Sequence, residues 1–437
     1  MRDMLDIWPA LPFIIWDKRD YSTMLTTSPF GLWDTWDKTW NDGDPLTKTL
    51  AALERSDLVC QINLVRIPNS QLGTVLEAMQ VPFPELTSLV FSWNGIEPIQ
   101  PNPFGRMSMP AKGQVLPDSF LGGFTPRLQV LRLYRFAFPG LPKLLLSATH
   151  LVELELEGIP HSGYTSSEVM ATAISTLTSL RSLGLTFQSP QSFPGLENRR
   201  PPPLTRPVLP LLIFFKFKGV GEYLEDLVAQ IDAPRLDCFC ITLFNQILFD
   251  ISQSIQFISR APVLKAPEKA RIAFGGHTAV VSFSSQTSNR GKFNVDVLCG
   301  NLDWQISSME QVCTSCLPFL STLEALCIHK VSYVSLGDWQ NIDNPLWLEL
   351  LHPFTAVKNL YISREFVPRI GPALQELVGD RITEVLPILQ NIFLDGLEPF
   401  GPVQEGIGQF IAARQAASHP VVVARWDGDW RRFESAN

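Results

Sequence analysis

An α/β solenoid, with a parallel inner sheet and helices outside it, is the fold class this sequence predicts, and three observations predict it. A spaced apolar template recurs along most of the chain. Amphipathic helical stretches fall between its copies, and prolines, glycines and polar runs mark where the chain turns between the two.

The template places apolar residues at offsets 0, +3 and +5, usually closed by another at +8. It reads Val59, Ile62, Leu64, Ile67 and then Leu86, Leu89, Phe91. It returns as Leu128, Leu131, Leu133, Phe136; Leu151, Leu154, Leu156, Ile159; and Leu180, Leu183, Leu185. Further copies are Leu212, Phe215, Phe217, Val220; Leu236, Phe239, Ile241, Phe244; Leu323, Leu326, Ile328, Val331; Val357, Leu360, Ile362; and Leu389, Ile392, Leu394, Leu397. Side chains alternate along a strand, so +3 and +5 point one way, while the residue at zero caps the strand from the turn before it. This is the leucine-rich-repeat pattern, and strand followed by helix in each unit stacks into a horseshoe. Copies are unevenly spaced: 23 residues separate Leu128 from Leu151, 29 separate Leu151 from Leu180, and 32 separate Val357 from Leu389.

In chain order, residues 1–45 lie off the template and hold Trp8, Trp16, Trp33, Trp36 and Trp40 with Pro9, Pro12 and Pro29. They read as a Trp-rich N-terminal cap over the open end of the first repeat, because a solenoid needs atypical ends. A helix is expected from Asp44, an N-cap, with Pro45 at its first position and Leu46, Leu50 and Leu53 on one face. The irregular solenoid is expected over 46–410, and a C-terminal cap or tail over 411–437. Helical returns are expected at 166–177, with Val169, Ala173, Ile174 and Leu177 on one side, and at 221–231, with Leu224, Leu227 and Val228. A third is expected at 366–386, where Pro368 and Pro372 should disturb the start. Residues 188–210 contain Arg199-Arg200-Pro201-Pro202-Pro203 and read as an exposed loop. Residues 269–304 lack the template but alternate, and read as extra strands turning at Gly275-Gly276 and Asn289-Arg290-Gly291.

Composition narrows the function classes. A compact core stops growing at roughly 250–300 residues, whereas 437 residues with 45% apolar content suit a solenoid whose repeats touch only their neighbours. A net charge of −8 and a pI near 5.4 count against nucleic acid, which wants a basic stripe. The longest apolar run, Val208 to Phe215, is broken by Pro210 and falls far short of the ~20 residues of a membrane helix. Seven irregularly spaced cysteines, no Asn-x-Ser/Thr acceptor and no basic-then-apolar leader suggest a reduced intracellular compartment, cytoplasmic or nuclear.

No motif carries chemistry convincingly. Cys313-Thr314-Ser315-Cys316 is the only Cys-x-x-Cys pair, and a structural zinc site needs two more ligands at short spacing. Cys327 and His329 lie on a strand template at outward positions, so the pair reads as helix packing. Gly219-Val220-Gly221 opens like a dinucleotide loop, but Leu224 stands where the third glycine belongs. The six histidines pair with no nucleophile in a known order. No catalytic, cofactor-binding or metal-binding residue is expected, and the chain reads as a non-enzyme.

The outward strand positions are more informative. Residues at +2, +4 and +6 should line the concave face, among them Glu153, Glu155 and Glu157 on one strand. Like charges at that spacing repel unless solvated or paired. Arg132 on the preceding strand is expected to neutralise one at most. With Tyr134, Phe214, Lys216 and Lys218 these residues form a mixed-charge docking surface with aromatic anchors for a protein partner. A plain solvated polar face is the simpler alternative.

Longer stretches resemble a known family. Val81-Pro82-Phe83-Pro84-Glu85-Leu86-Thr87, Leu116-Pro117-Asp118-Ser119-Phe120-Leu121-Gly122-Gly123 and the run Leu141 to Leu151 are similar to the F-box proteins of mushroom-forming fungi with divergent leucine-rich repeats. So are Arg199-Arg200-Pro201-Pro202-Pro203, Glu222 to Ala229, and Leu346-Trp347-Leu348-Glu349-Leu350-Leu351-His352-Pro353-Phe354, and the similarity runs from about Met4 onward. The resemblance implies a ubiquitin-ligase adaptor whose F-box binds a Skp-type protein and whose repeats hold a target. Residues 1–45 depart from that pattern. Leu11-Pro12 is followed by Phe13-Ile14-Ile15-Trp16-Asp17 rather than a long helical run, so Skp binding is expected only if an F-box precedes Met1. The alternatives are a repeat domain cut from an immune-type receptor and, last, an enzyme on a repeat scaffold.

Overall fold

The computed structural model describes residues 13–17, 45–93, 113–190, 206–246, 248–284, 291–331, 343–377, 379–395 and 402–426. The chain divides into two compact units at Pro194/Gly195.

The first unit is a parallel sheet with helices between its strands. Its strands are β1 (Phe13–Asp17), β2 (Val59–Ile67), β3 (Ser88–Trp93), the two-residue β4 (Gln114–Val115), β5 (Val130–Tyr134), β6 (Phe136–Ala137), β7 (Glu153–Ile159) and β8 (Ser182–Phe187). Pairing runs β1-β2-β3-β5-β7-β8, parallel throughout, and β4 pairs with β6 separately. The tryptophan-containing segment expected as a cap thus contributes β1, which lies parallel against β2. Helices Pro45–Leu53, Asn69–Ala78, Leu141–Ser147 and Ser167–Ser175 return the chain. Ser166 accepts from Val169 N at 3.3 Å and caps the last of these. Ala173, Ile174 and Leu177 are buried as expected, together with Met170 and Ala171, whereas Val169, expected inward, is 46% exposed.

Register follows the template. Leu131 pairs with Leu154 and Leu133 with Leu156; Leu154 then pairs with Leu183 and Leu156 with Leu185. Every residue read at offsets 0, +3 and +5, in both units, is buried. Repeats in this unit also share a device not visible in the spacing. The +7 residue takes a left-handed backbone at Arg66, Arg135 and Gly158, with φ of 61°, 65° and 66°. That twist turns the chain out of the strand so that +8 dips back into the core. Each freed amide finds the +6 residue of the next repeat: Arg66 N donates to Ser92 Oγ, Gly158 N to Thr186 Oγ1, and Arg135 N to Glu157 O. Ser92 and Thr186 are therefore buried, although alternation put them outward.

The second unit contains β9 (Phe214–Gly219), β10 (Cys238–Leu243), β11 (Lys269–Phe274), β12 (Thr278–Ser284), β13 (Lys292–Leu298), β14 (Ala325–Lys330), β15 (Asn359–Ile362), β16 (Asn391–Asp395) and β17 (Val422–Trp426). Their order in the sheet is β9-β10-β13-β12-β11-β14-β15-β16-β17. β12 runs antiparallel to both neighbours, and every other pair is parallel. The alternating segment expected as extra strands is this β11-β12-β13 meander, inserted where one repeat strand would stand. A phenylalanine ladder shows why it fits. Phe215, Phe239, Phe293 and Phe283 occupy one register across β9, β10, β13 and β12, with successive centroids 5.1, 5.8 and 5.5 Å apart. Phe257 and Phe319 pack edge-on beneath them.

Helix Gly221–Gln230 forms where expected, whereas the return expected over 366–386 is shorter. Val367–Gln375 is helical, with Pro368 in the tolerated first turn and Pro372 inside, and a 3₁₀ turn, Gly379–Thr383, follows. Helix Pro402–Ala416 leads into β17, which adds a parallel strand beyond β16. The centre of the proline-rich loop, 191–205, lies outside the described residues.

Candidate functional site: the outward strand faces

In the first unit, Arg132 and Tyr134 on β5 stand opposite Glu155 and Glu157 on β7, with Glu153 opposite Val130. One strand face is consumed by the leucines at +3 and +5, which forces all three glutamates onto the other. Arg132 Nε donates to Glu153 Oε1 at 2.6 Å and lies 3.6 Å from Glu155 Oε2. Arg132 lies between two of the carboxylates and contacts both, sharing its single positive charge between them. The Glu153 hydrogen bond raises the arginine pKa further. Tyr134 donates to Glu155 Oε2 at 3.4 Å, and burial with the Glu155 charge pushes its phenol upward. Beyond Glu155 lies Gly184, where an added Cβ would come within 3.2 Å of Glu155 Cγ, so the side chain leans over that gap. Glu153 and Glu155 are half-buried, and Glu157 is exposed.

Phe214, Lys216 and Lys218 share β9 of the second unit. There they stand opposite Cys238, Cys240 and Thr242 of β10. Lys218 Nζ lies 5.8 Å from the Phe244 ring centroid, a cation–π distance. β13 adds Lys292, Asn294 and Asp296 beside the same β10 residues. Burial holds the Asp296 carboxyl up at about 6 against a hydrogen bond from Thr242 Oγ1 at 3.5 Å.

A third outward row lies on β14 to β17, where the +4 positions of two template copies are Tyr361 and Phe393. Tyr361 and Phe393 stack at 4.4 Å and 10°, and Trp426 meets Tyr361 edge-on at 5.6 Å. These rings cover Ala325 and Cys327. Cys327, expected outward, is buried for that reason; His329, also expected outward, is buried too, and burial together with Arg271 lowers its pKa to about 4. The signal available was an aromatic at alternate positions of successive strands, Tyr361 and then Phe393.

Cys313 and Cys316 are fully buried at the end of helix Leu302–Ser315, and burial raises both thiols. Among the described residues no group of three or more His, Cys, Asp or Glu could hold a metal ion. No described helix is long and apolar enough to cross a membrane.

No protein-family model matches the chain, and no curated protein matches it. Among solved structures it is similar to the leucine-rich repeat-containing protein LegL7 from Legionella pneumophila. That likeness has 11% identity and a TM-score of 0.28, covering 77% of this chain and 93% of that one. Repeat architecture here rests on strand register and burial within each unit, which are those of leucine-rich repeats.

Proposed function

We propose that the chain is a non-enzymatic protein-recognition module, and that the Glu153/Glu155/Glu157 face of the first unit receives a basic segment of its partner. One observation carries this reading. Three carboxylates project from one ordered strand, where Arg132 contacts Glu153 and Glu155, Tyr134 donates to Glu155, and Glu157 is exposed. The opposite face of β7 supplies its packing through Leu154 and Leu156. Tyr134 beside them offers an aromatic edge. A peptide-display selection on the purified chain tests the reading. Enrichment of lysine- and arginine-rich sequences, weakened by substituting the three glutamates, is the expected result. Enrichment without charge bias would contradict it.

The finer reading follows from the sequence resemblance. On it, the repeats hold the target of a fungal F-box-type ubiquitin-ligase adaptor inside the cell, and residues 1–45 carry no F-box pattern for a Skp-type protein to bind. The chain and a purified Skp-type protein should then elute separately on a sizing column. A stoichiometric complex would place adaptor binding within these 437 residues.

A further inference from the structure

Cys238 and Cys240 occupy alternate positions of β10, so both side chains project from the same outward face of the second unit. Their sulfurs lie 3.6 Å apart, and both residues are only half-buried. Around Cys240, two polar neighbours favour a thiolate against burial and the Asp296 charge. Asn294 Nδ2 points at its sulfur from β13 at 3.8 Å, and Lys216 stands opposite it on β9. Cys238 has Phe214 and Lys292 as its opposite neighbours. The hydrogen bond from Cys238 holds Cys240 below the ordinary thiol range, while that same bond and burial push Cys238 up. Four of the remaining five cysteines are buried, and Cys60 of the first unit is half-buried.

We propose that Cys238 and Cys240 form a thiol–disulfide exchange site, with Cys240 as attacking thiolate, Cys238 as resolving thiol and a low-molecular-weight disulfide as the oxidant. The Cys240 sulfur attacks one sulfur of the reagent. A mixed disulfide forms, the reagent's S–S bond breaks and one thiolate leaves. Cys238 then gives up its proton and attacks Cys240 Sγ, expelling the second thiolate and closing the Cys238–Cys240 bond. Two protein thiols are oxidised, one disulfide is reduced to two thiols, and the two protons end on the leaving groups. Reversibility is built into the strand. Alternate residues of a strand lie about 6.6 Å apart at Cα and as far at Cβ, because both side chains project the same way. A disulfide holds its Cβ atoms within about 4.5 Å, so closing the bond bends β10 between its two neighbours. The closed ring is therefore strained and readily reduced, as regulatory disulfides are. This assignment is independent of the recognition reading, which concerns the other unit.

The test is to incubate the folded chain with glutathione disulfide, quench with acid, alkylate the remaining thiols and map each cysteine by mass spectrometry. In the unsubstituted chain, the peptide carrying Cys238 and Cys240 should lose two hydrogens and recover them with excess reduced glutathione. Cys60, the half-buried comparator, should stop at the mixed disulfide. Cys238→Ser should trap glutathione on Cys240, whereas Cys240→Ser should leave Cys238 unmodified. The proposal is overturned if that peptide stays reduced while Cys60 is modified, or if the two serine variants react alike. The first outcome is read on the unsubstituted chain and so does not depend on either variant folding.

Discussion

Leu154 is fully buried, with Leu131 and Leu183 at the same register on either side. Leu154→Ala should cost about 2–5 kcal/mol in denaturant unfolding, because flanking leucines on a continuous sheet cannot collapse into the gap. A cost near zero would mean that the register is wrong. Arg414 makes the opposite point. It is 1% exposed, and its guanidinium donates to the carbonyls of Ile382, Leu386, Pro387 and Leu389. These contacts close the loop ahead of β16. Arg414→Leu should destabilise the second unit by about 2–4 kcal/mol, since several buried carbonyls lose their partner at once. Leu154 was legible from spacing alone. Arg414 was not, because an arginine in a helical stretch reads as solvated until the carbonyls it meets are known.

Among the elements, the template strands and the returns at 166–177 and 221–231 were legible because their apolar periods differ, two for strands and 3.6 for helices. The left-handed +7 position was hidden, since Arg66 and Arg135 are not residues that signal such a backbone. Helix Ser252–Ser259 has a cap equally remote in sequence. Glu225 of the preceding helix accepts from Gln253 N at 2.6 Å, Ser254 N at 3.0 Å and Ser254 Oγ at 2.6 Å. Burial nonetheless raises its carboxyl from 4.5 to about 7. A raised folded-state pKa gives a contribution complete below about 4.5 and lost as pH rises through about 7. The melting temperature of the second unit should therefore fall between pH 5 and pH 8. Asp296, raised by burial to about 6, acts in the same direction. Glu225→Gln should lower the melting temperature, because its amide N–H faces backbone donors, and should flatten the slope in part. An unchanged slope in calorimetric scans would show that Glu225 does not titrate in this range.

At the scale of the whole molecule, repeat architecture could be read from the template because each copy states the same burial pattern and the copies agree. The meander of β11 to β13 could be read as strands but not ordered, since the phenylalanine ladder that sets their register connects residues on separate elements. The outward faces were half legible. Alternation placed Glu153, Glu155 and Glu157 on one face with Arg132 beside them, but not the second Arg132 contact or the Tyr361/Phe393/Trp426 cover, both of which depend on neighbouring strands. Recognition through the acidic face is the central claim, and its most direct test is the salt dependence of association. Association rates of display-selected basic peptides should be measured at low and high salt on the unsubstituted chain and on Glu153→Gln/Glu155→Gln/Glu157→Gln. A carboxylate row that steers a basic partner predicts slower association and a shallower salt dependence in the triple variant, with an unchanged melting temperature. Equal rates and equal salt dependence in the two proteins, or unfolding of the variant, would contradict it.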